Sequence, residues 1–382
     1  MGALRDPGDE ERRGRATLRD VAALARTTPM TVSNVVNGRA GQVGPEVAKR
    51  VRAACERLDY RPHANARRLR TNRRQAIGVV IVDPSPAYVS DPLTAAMLAG
   101  LTACLGREGY STVLHGVAPA ELDDAPLLRH IESDGICLML SGSPAKRRAI
   151  VERVHALGQP LLLLQGDVGD AIADAASIVQ DDRGGAAMLA RHLFDRPVDH
   201  AVMLVPEQQW PAMERREAGV RDVLRRLDRP PAFHVLRCGD EGFEPTQAAL
   251  AAHVARHGAP EVVIGGNDQM AIAGMKLLAD RGLRIPRDVR VSGFNGLDFW
   301  RYATPELTTV FSPAYALGEA AAAAMLQRLS LGSFSFRQQV LPVRFAARGS
   351  TLASTDAVPA ERGGNDRVER PAATSRKRAQ PR

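Results

Sequence analysis

From Ile77 onward the chain alternates short apolar runs with stretches of helical period, and this alternation limits the fold more than any other feature. The runs IGVVIVD (77–83), STVLHG (111–116), DGICLML (134–140), PLLLLQ (160–165), SIVQ (177–180), HAVMLV (200–205), AFHVLR (232–237), EVVIGG (261–266) and VRVSGF (289–294) read as strands. Helical periods fill 91–110, 122–131, 144–157, 183–195, 213–228, 245–257, 268–281 and 313–330, and a last strand lies near 338–345. Runs apolar on both faces, separated by helices, mean parallel strands covered on both sides. About 270 residues exceed what one open sheet holds, so two α/β lobes are expected. In such folds ligands bind past the carboxyl ends of the strands, here in the cleft between lobes.

Charge separates the first 75 residues from this body. They hold 17 Lys+Arg against 8 Asp+Glu, or +9; residues 76–351 hold 27 against 31, or −4; residues 352–382 hold 7 against 4, or +3. A basic head on a mildly acidic body suits a polyanion-binding module joined to a part that does not bind polyanions. The chain contains no apolar run of transmembrane length, and its first residues, MGALRDPGDEERRGR, lack the apolar core of a secretory signal. A cytoplasmic location is therefore expected. Cys55, Cys104, Cys137 and Cys238 are scattered, without metal-ligand spacing, and are expected to be reduced. No cofactor or metal is expected.

Residues 17–38, TLRDVAALARTTPMTVSNVVNG, read as two short helices joined by a tight turn. Thr17 and Asp20 form a capping box for a helix over about 18–25. Arg26-Thr27-Thr28 is the turn, Thr28 caps a second helix, and Pro29 occupies its first position, where no N–H is missed. Val32, Val35 and Val36 must face inward. Pro29, Met30, Thr31, Ser33, Asn34 and Asn37 are left on the outer surface. Short polar side chains beside a methionine suit a helix lying in the major groove, where Ser and Asn reach base edges and Met30 meets a thymine methyl. A plain helical hairpin is the alternative for this stretch taken alone. A third helix from Pro45 to about Asp59 completes a helix-turn-helix domain. After it, residues 60–74 carry six arginines, no acid and one large apolar residue, Leu69. They are either a basic linker or a hinge that folds on DNA, its arginines on phosphates and Leu69 wedged between base steps.

The segments TLRDVAALARTTPMTVSNVVNG, LDYRP and ANARRLRTNRRQAIGVV resemble the amino-terminal region of the lactose-repressor (LacI/GalR) family of transcription regulators. The stretches 179–193, 215–224 and 261–310 resemble the family's periplasmic-binding-protein-like effector domain. The resemblance implies an α plus α/β architecture. A three-helix head and a hinge precede a two-lobed body, with lobe crossings near 180, 308 and 332. It implies a homodimer, with a tetramer left open, on a near-palindromic operator in double-stranded DNA. Thr17, Thr28, Pro29, Met30, Thr31, Ser33, Asn34, Asn37, Tyr60, Asn65, Ala66, Arg68, Leu69 and Arg70 are the expected DNA contacts, Leu69 as intercalating wedge. Asn34 stands where the family usually has Arg, which shifts the expected preference from guanine toward adenine. Arg26-Thr27-Thr28 replaces the usual Gly-Val-Ser, and one extra residue lies in 39–43.

For the effector the resemblance points to Asp91, Gln165, Arg216, Asn267 and Asn295, with Phe243, Phe299 and Trp300 as an aromatic wall. Asn295 replaces the usual Asp. With the neutral Gln165, this hints at an anionic sugar acid or sugar phosphate facing Arg216. The expected division is 1–15 and 351–382 disordered by composition, 16–60 the head, 61–75 the hinge and 76–350 the body; 84–90 is an insertion. The expected function is a ligand-responsive DNA-binding regulator, a repressor switched by a small sugar-like molecule. A sugar-binding transport protein is the alternative that the body alone allows. An enzyme is not expected, because no phosphate loop, nucleophile elbow or metal motif occurs.

Overall fold

The computed structural model describes residues 16–36, 43–60, 73–84, 89–125, 132–169, 172–239, 242–298 and 301–352. Internal contacts divide the chain into two units, Met1–Gln75 and Ala76–Arg382.

The first unit contains three helices, α1 (Leu18–Leu24), α2 (Pro29–Val36) and α3 (Pro45–Arg57). The capping box at α1 is formed: Thr17 accepts from the Asp20 N–H, and the Asp20 carboxylate accepts from the Thr17 N–H at 2.7 Å. Arg26 turns the chain at φ 50°. Thr28 then caps α2, its hydroxyl accepting from the Thr31 N–H. Val21, Ala22, Ala25, Val32, Val35, Ala48, Val51 and Ala54 are the core; Val36 only flanks it. The Arg50 Nε donates to the Ala25 carbonyl, tying α3 to the end of α1.

The second unit has two lobes. The first is built on a six-stranded sheet, ordered β11-β5-β4-β3-β1-β2, with every pairing parallel. Its strands are β1 (Ala76–Val82), β2 (Ser111–Val117), β3 (Ile136–Leu140), β4 (Leu161–Leu164), β5 (Ala175–Gln180) and β11 (Gln338–Leu341). Helices α4 (Pro92–Arg107) and α10 (Ala314–Leu331) cover one face, and α5 (Pro144–His155) the other. α4 and α10 touch backbone to backbone. A Cβ at Gly100 would meet the Tyr315 carbonyl oxygen at 2.0 Å, and one at Gly318 the Met97 oxygen at 1.9 Å.

The second lobe is built on a four-stranded parallel sheet ordered β7-β6-β8-β9. Its strands are β6 (His200–Val205), β7 (Ala232–Arg237), β8 (Val262–Gly265) and β9 (Arg290–Ser292). Its helices are α6 (Asp182–Leu193), α7 (Pro211–Leu224), α8 (Phe243–His257) and α9 (Asp268–Asp280). A short antiparallel pair, β10 (Thr309–Phe311) with β12 (Arg344–Ala346), closes this lobe.

Three expectations are corrected. The helix expected over 122–131 is a 3-10 turn, Pro119–Asp124, as far as the described residues reach. The strand expected over 338–345 is two strands in different sheets, β11 in the first lobe and β12 in the second, because Pro342 cannot donate to a ladder. The second lobe crossing consequently follows Phe311 rather than 308, and the third lies at 342–343 rather than 332. Among the described residues, no helix is long and apolar enough to cross a membrane.

Candidate functional site

On the head, α2 buries Val32 and Val35 and turns Thr28, Pro29 and Met30 outward. Met30 is 69% exposed, a large apolar side chain held in water at the start of a helix. Thr31, Ser33 and Asn34 are half-buried along the same helix. The Thr28 and Thr31 hydroxyls lie 2.9 Å apart. Thr17 is spent largely on its capping box. Tyr60 packs against the head's core, so its ring has a structural task beside any contact with DNA. Asn37, Asn65, Ala66, Arg68, Leu69 and Arg70 lie outside the described residues, as do Phe299 and Trp300.

In the second unit, five expected residues come together at the mouth of the two sheets. Asp91, Gln165, Arg216, Asn267 and Asn295 line one pocket with Leu93, Thr94, Met97, Met139, Trp210, Ala212 and Met213. Local structure explains each placement. Asp91 caps α4, its carboxylate accepting from the N–H groups of Leu93 and Thr94 and from the Thr94 hydroxyl. Asn267 caps α9, accepting from the Met270 N–H. Gln165 follows β4 at φ 58°, and Asn295 follows β9 at φ 106°. Arg216 projects from the first turns of α7. Asp91, Gln165, Asn267 and Asn295 follow strands or cap helices at the carboxyl end of a parallel sheet, and Arg216 reaches the same place from the second turn of α7.

Phe243 is a correction. It opens α8, is 44% exposed and does not line the pocket. The aromatic residue found there is Trp210, which caps α7 after β6. The same strand-end argument applied to QQWPAM would have pointed to it.

Arg216 is 1% exposed and fully engaged. Its Nε donates to Asp182 Oδ1 at 2.8 Å, Nη1 to the Gly266 carbonyl at 2.6 Å and Nη2 to Asn295 Oδ1 at 2.9 Å. Its Cζ lies 3.8 Å over the Phe294 ring. The counter-charge expected for an anion is taken up inside the protein: the buried carboxylate of Asp182 pairs with Arg216 at 2.8 Å and also accepts from Arg215 at 3.4 Å. Asp182 also accepts from Gln180 Nε2 at 2.8 Å, and Gln165 Oε1 accepts from the Gln180 N–H at 3.0 Å. Gln180 in turn receives the Ser312 hydroxyl. The polar wall of the pocket thus runs through hydrogen bonds into the lobe crossings. Asp182 was visible in VQDDRGG but carried no signal as a partner.

One buried polar atom of the pocket lining has no protein partner, Gln165 Nε2. Burial pushes the Asp268 carboxyl up to about 7, against the lowering effect of the Thr309 hydroxyl, the Gly296 and Leu297 N–H groups and Arg216. A Cβ at Gly293 would lie 2.3 Å from Asp268 Oδ1, so only glycine lets the loop pass. The lobes also touch at the rim. Arg147 of α5 pairs with Glu214 of α7 at 2.7 Å and donates to the Gln209 carbonyl, while Arg215 donates to the Gln165 carbonyl at 2.8 Å.

A helix-turn-helix unit and a two-lobed parallel α/β unit with a pocket between its lobes define a ligand-responsive DNA-binding transcription regulator. Residues 17–63 match the sequence pattern of bacterial regulatory proteins of the lacI family, and residues 190–351 that of a periplasmic binding protein-like domain. The chain is 28% identical to the ribose operon repressor of Escherichia coli K12, over 88% of this chain and 99% of that protein. It is also 28% identical to the transcriptional repressor PurR of Vibrio atlanticus LGP32, over 82% of this chain and 92% of that protein. In three dimensions it resembles the lac repressor dimer bound to operator and the anti-inducer ONPF, with TM-score 0.76 and 24% identity, covering 89% of this chain and all of that one. The chain thus joins a lacI-family DNA-binding region to a periplasmic binding protein-like domain, the arrangement of the transcriptional repressors it resembles.

Proposed function

We propose that the chain represses transcription in the cytoplasm as a homodimer on a near-palindromic operator, and that an uncharged sugar-like effector in the interlobe pocket sets its DNA affinity. The observation that carries this reading is the convergence of Asp91, Gln165, Arg216, Asn267 and Asn295 on one pocket whose hydrogen bonds continue into Gln180 and Ser312 at the lobe crossings. The amides of Gln165, Asn267 and Asn295 and the Asp91 carboxylate offer donors and acceptors to hydroxyl groups, while Arg216, engaged by Asp182, leaves no spare positive charge to balance an anion. Leu93, Met97, Met139, Trp210 and Met213 give the effector an apolar wall, as the carbon face of a sugar ring needs. A LacI-family regulator from Enterococcus faecium with bound ribose has the same fold, at TM-score 0.62.

In this reading residues 16–60 read DNA, 61–75 are the hinge and 76–350 bind effector and the second subunit. Met30, Thr31, Ser33 and Asn34 face base edges or phosphates, and Leu69 is the minor-groove wedge. Effector binding biases operator affinity by a coupling of about 1–3 kcal/mol. The test is selection of genomic fragments by the purified protein, followed by a panel of sugars against the protein bound to the recovered site. Release or tightening by a neutral sugar supports the reading. A response to sugar phosphates alone removes the uncharged effector, and failure to enrich any fragment removes the regulator.

A further inference from the structure

Four of the nine histidines meet at one place in the second lobe, at the end of its sheet opposite the pocket. His200 opens β6. His234 lies on β7 opposite Val202, so strand alternation sends both rings to one face. That face carries α8, whose Leu250 packs with Val202 and Leu204. His253 and His257 are one turn apart on α8 and complete the group. Ring centroids lie 5.0 Å apart for His200 and His253, 5.6 Å for His200 and His234, 5.0 Å for His234 and His253, 4.8 Å for His253 and His257, and 5.3 Å for His234 and His257. His200 Nε2 and His253 Nε2 are 2.8 Å apart.

Imidazole is the preferred protein ligand of zinc, nickel and copper, and two histidines at i and i+4 on a helix form a metal-binding pair. Rings bound to one ion through bonds of about 2.0–2.1 Å hold their centroids about 5 Å apart, the spacing seen here. As they stand, no three described donor side chains surround a common point. The adjustment needed is small. Two nitrogens on a tetrahedral ion lie about 3.3 Å apart, so His200 and His253 separate by about half an ångström and exchange their mutual hydrogen bond for the ion. His234 is half-buried and His257 exposed, so their rings can turn about χ2. His200 also hydrogen-bonds the Ala259 backbone, an outer contact of the kind that orients a ligating ring.

We propose that His200, His234, His253 and His257 form a binding site for a divalent transition-metal ion, separate from the effector pocket. Occupancy pins the end of α8 to β6 and β7. The proposal is tested on the full chain with Zn2+ by calorimetry and with Co2+ by visible absorption. The expected result is one Zn2+ per chain, a raised melting temperature and a cobalt spectrum without thiolate bands. Exposed His257→Gln should weaken binding at least about tenfold, since loss of even an outer-shell partner costs about that much. His253→Gln should abolish it, and His115→Gln, outside the cluster, should change nothing. If His253→Gln does not fold, His257→Gln decides alone. Absence of Zn2+ binding by the native chain, thiolate bands in the cobalt spectrum, or His257→Gln binding like the native chain would overturn the proposal.

Discussion

Asp182 Oδ1 accepts from Arg216 Nε at 2.8 Å, with Asp182 fully buried and Arg216 1% exposed. A charge pair this deep is held by its remaining hydrogen bonds, from Gln180 to the carboxylate and from the guanidinium to Gly266 and Asn295. It stands between the effector pocket and the lobe crossings.

Removing one partner of that pair should be costly. Asp182→Ala leaves a buried guanidinium uncompensated and is expected to lower stability by about 3–5 kcal/mol in urea denaturation. Arg216→Met in the same chain should restore part of the loss. A near-neutral Asp182→Ala would mean that the pair is not the anchor described.

Gln165 Nε2 is a buried donor without a protein partner, which is the arrangement expected of a group reserved for a ligand acceptor. Gln165→Leu also removes the oxygen that accepts from the Gln180 N–H, so it should lower stability by about 1–3 kcal/mol. It should weaken the sugar found in the panel about tenfold, the scale of one hydrogen bond of about 1.4 kcal/mol. Unchanged sugar affinity would place the ligand elsewhere in the cleft.

Asp268 gives the body a pH dependence of defined sign. Its carboxyl is held up to about 7, from an ordinary value of 3.8, chiefly by burial. The folded chain therefore keeps a proton that the unfolded chain has lost. Its contribution is present in full below about pH 4 and is lost as the pH rises through about 7, and its size is at most about 4 kcal/mol. Asp268→Asn should flatten this component of stability between pH 4 and 7. A mutant with the native pH profile would show that Asp268 does not hold the proton.

The head's predictions concern sequence readout. Asn34→Arg should shift preference toward guanine at one position per half-site. Leu69→Ala should cut operator affinity severely and leave sugar binding intact. Binding-site selection on the variants measures both; unaltered profiles would remove Asn34 from readout and Leu69 from the minor groove.

Much of this was legible because strand ends announce themselves. Gln165, Asn267 and Asn295 each end an apolar run, and Asp91 and Asn267 carry capping chemistry, so local rules alone bring them to the cleft. Phe243 was misplaced because periodicity says where α8 begins but not which way its first turn faces. Trp210 follows a strand too, but an apolar residue there carries no distinct signal, because core residues occupy the same kind of position. The pairing of Asp182 with Arg216 joins positions 34 apart, and no local pattern encodes it. The split at Pro342 was readable only in part: proline forbids a continuous ladder, but not which sheet receives the next residues. The histidine cluster combines one visible pair, His253 and His257, with two strand residues whose neighbourhood only the fold supplies.

The three lobe crossings are bonded to one another. Gln180, at the first, receives Ser312 at the second, and the Asp181 N–H donates to Leu341 at the third. Strands joined in this way cannot slide independently; they act as a single pivot. The lobes then behave as lever arms, and displacement grows in proportion to distance from the pivot. A ligand too small to reach either end can therefore move both, and the gain of the switch is set by lobe length rather than by ligand size.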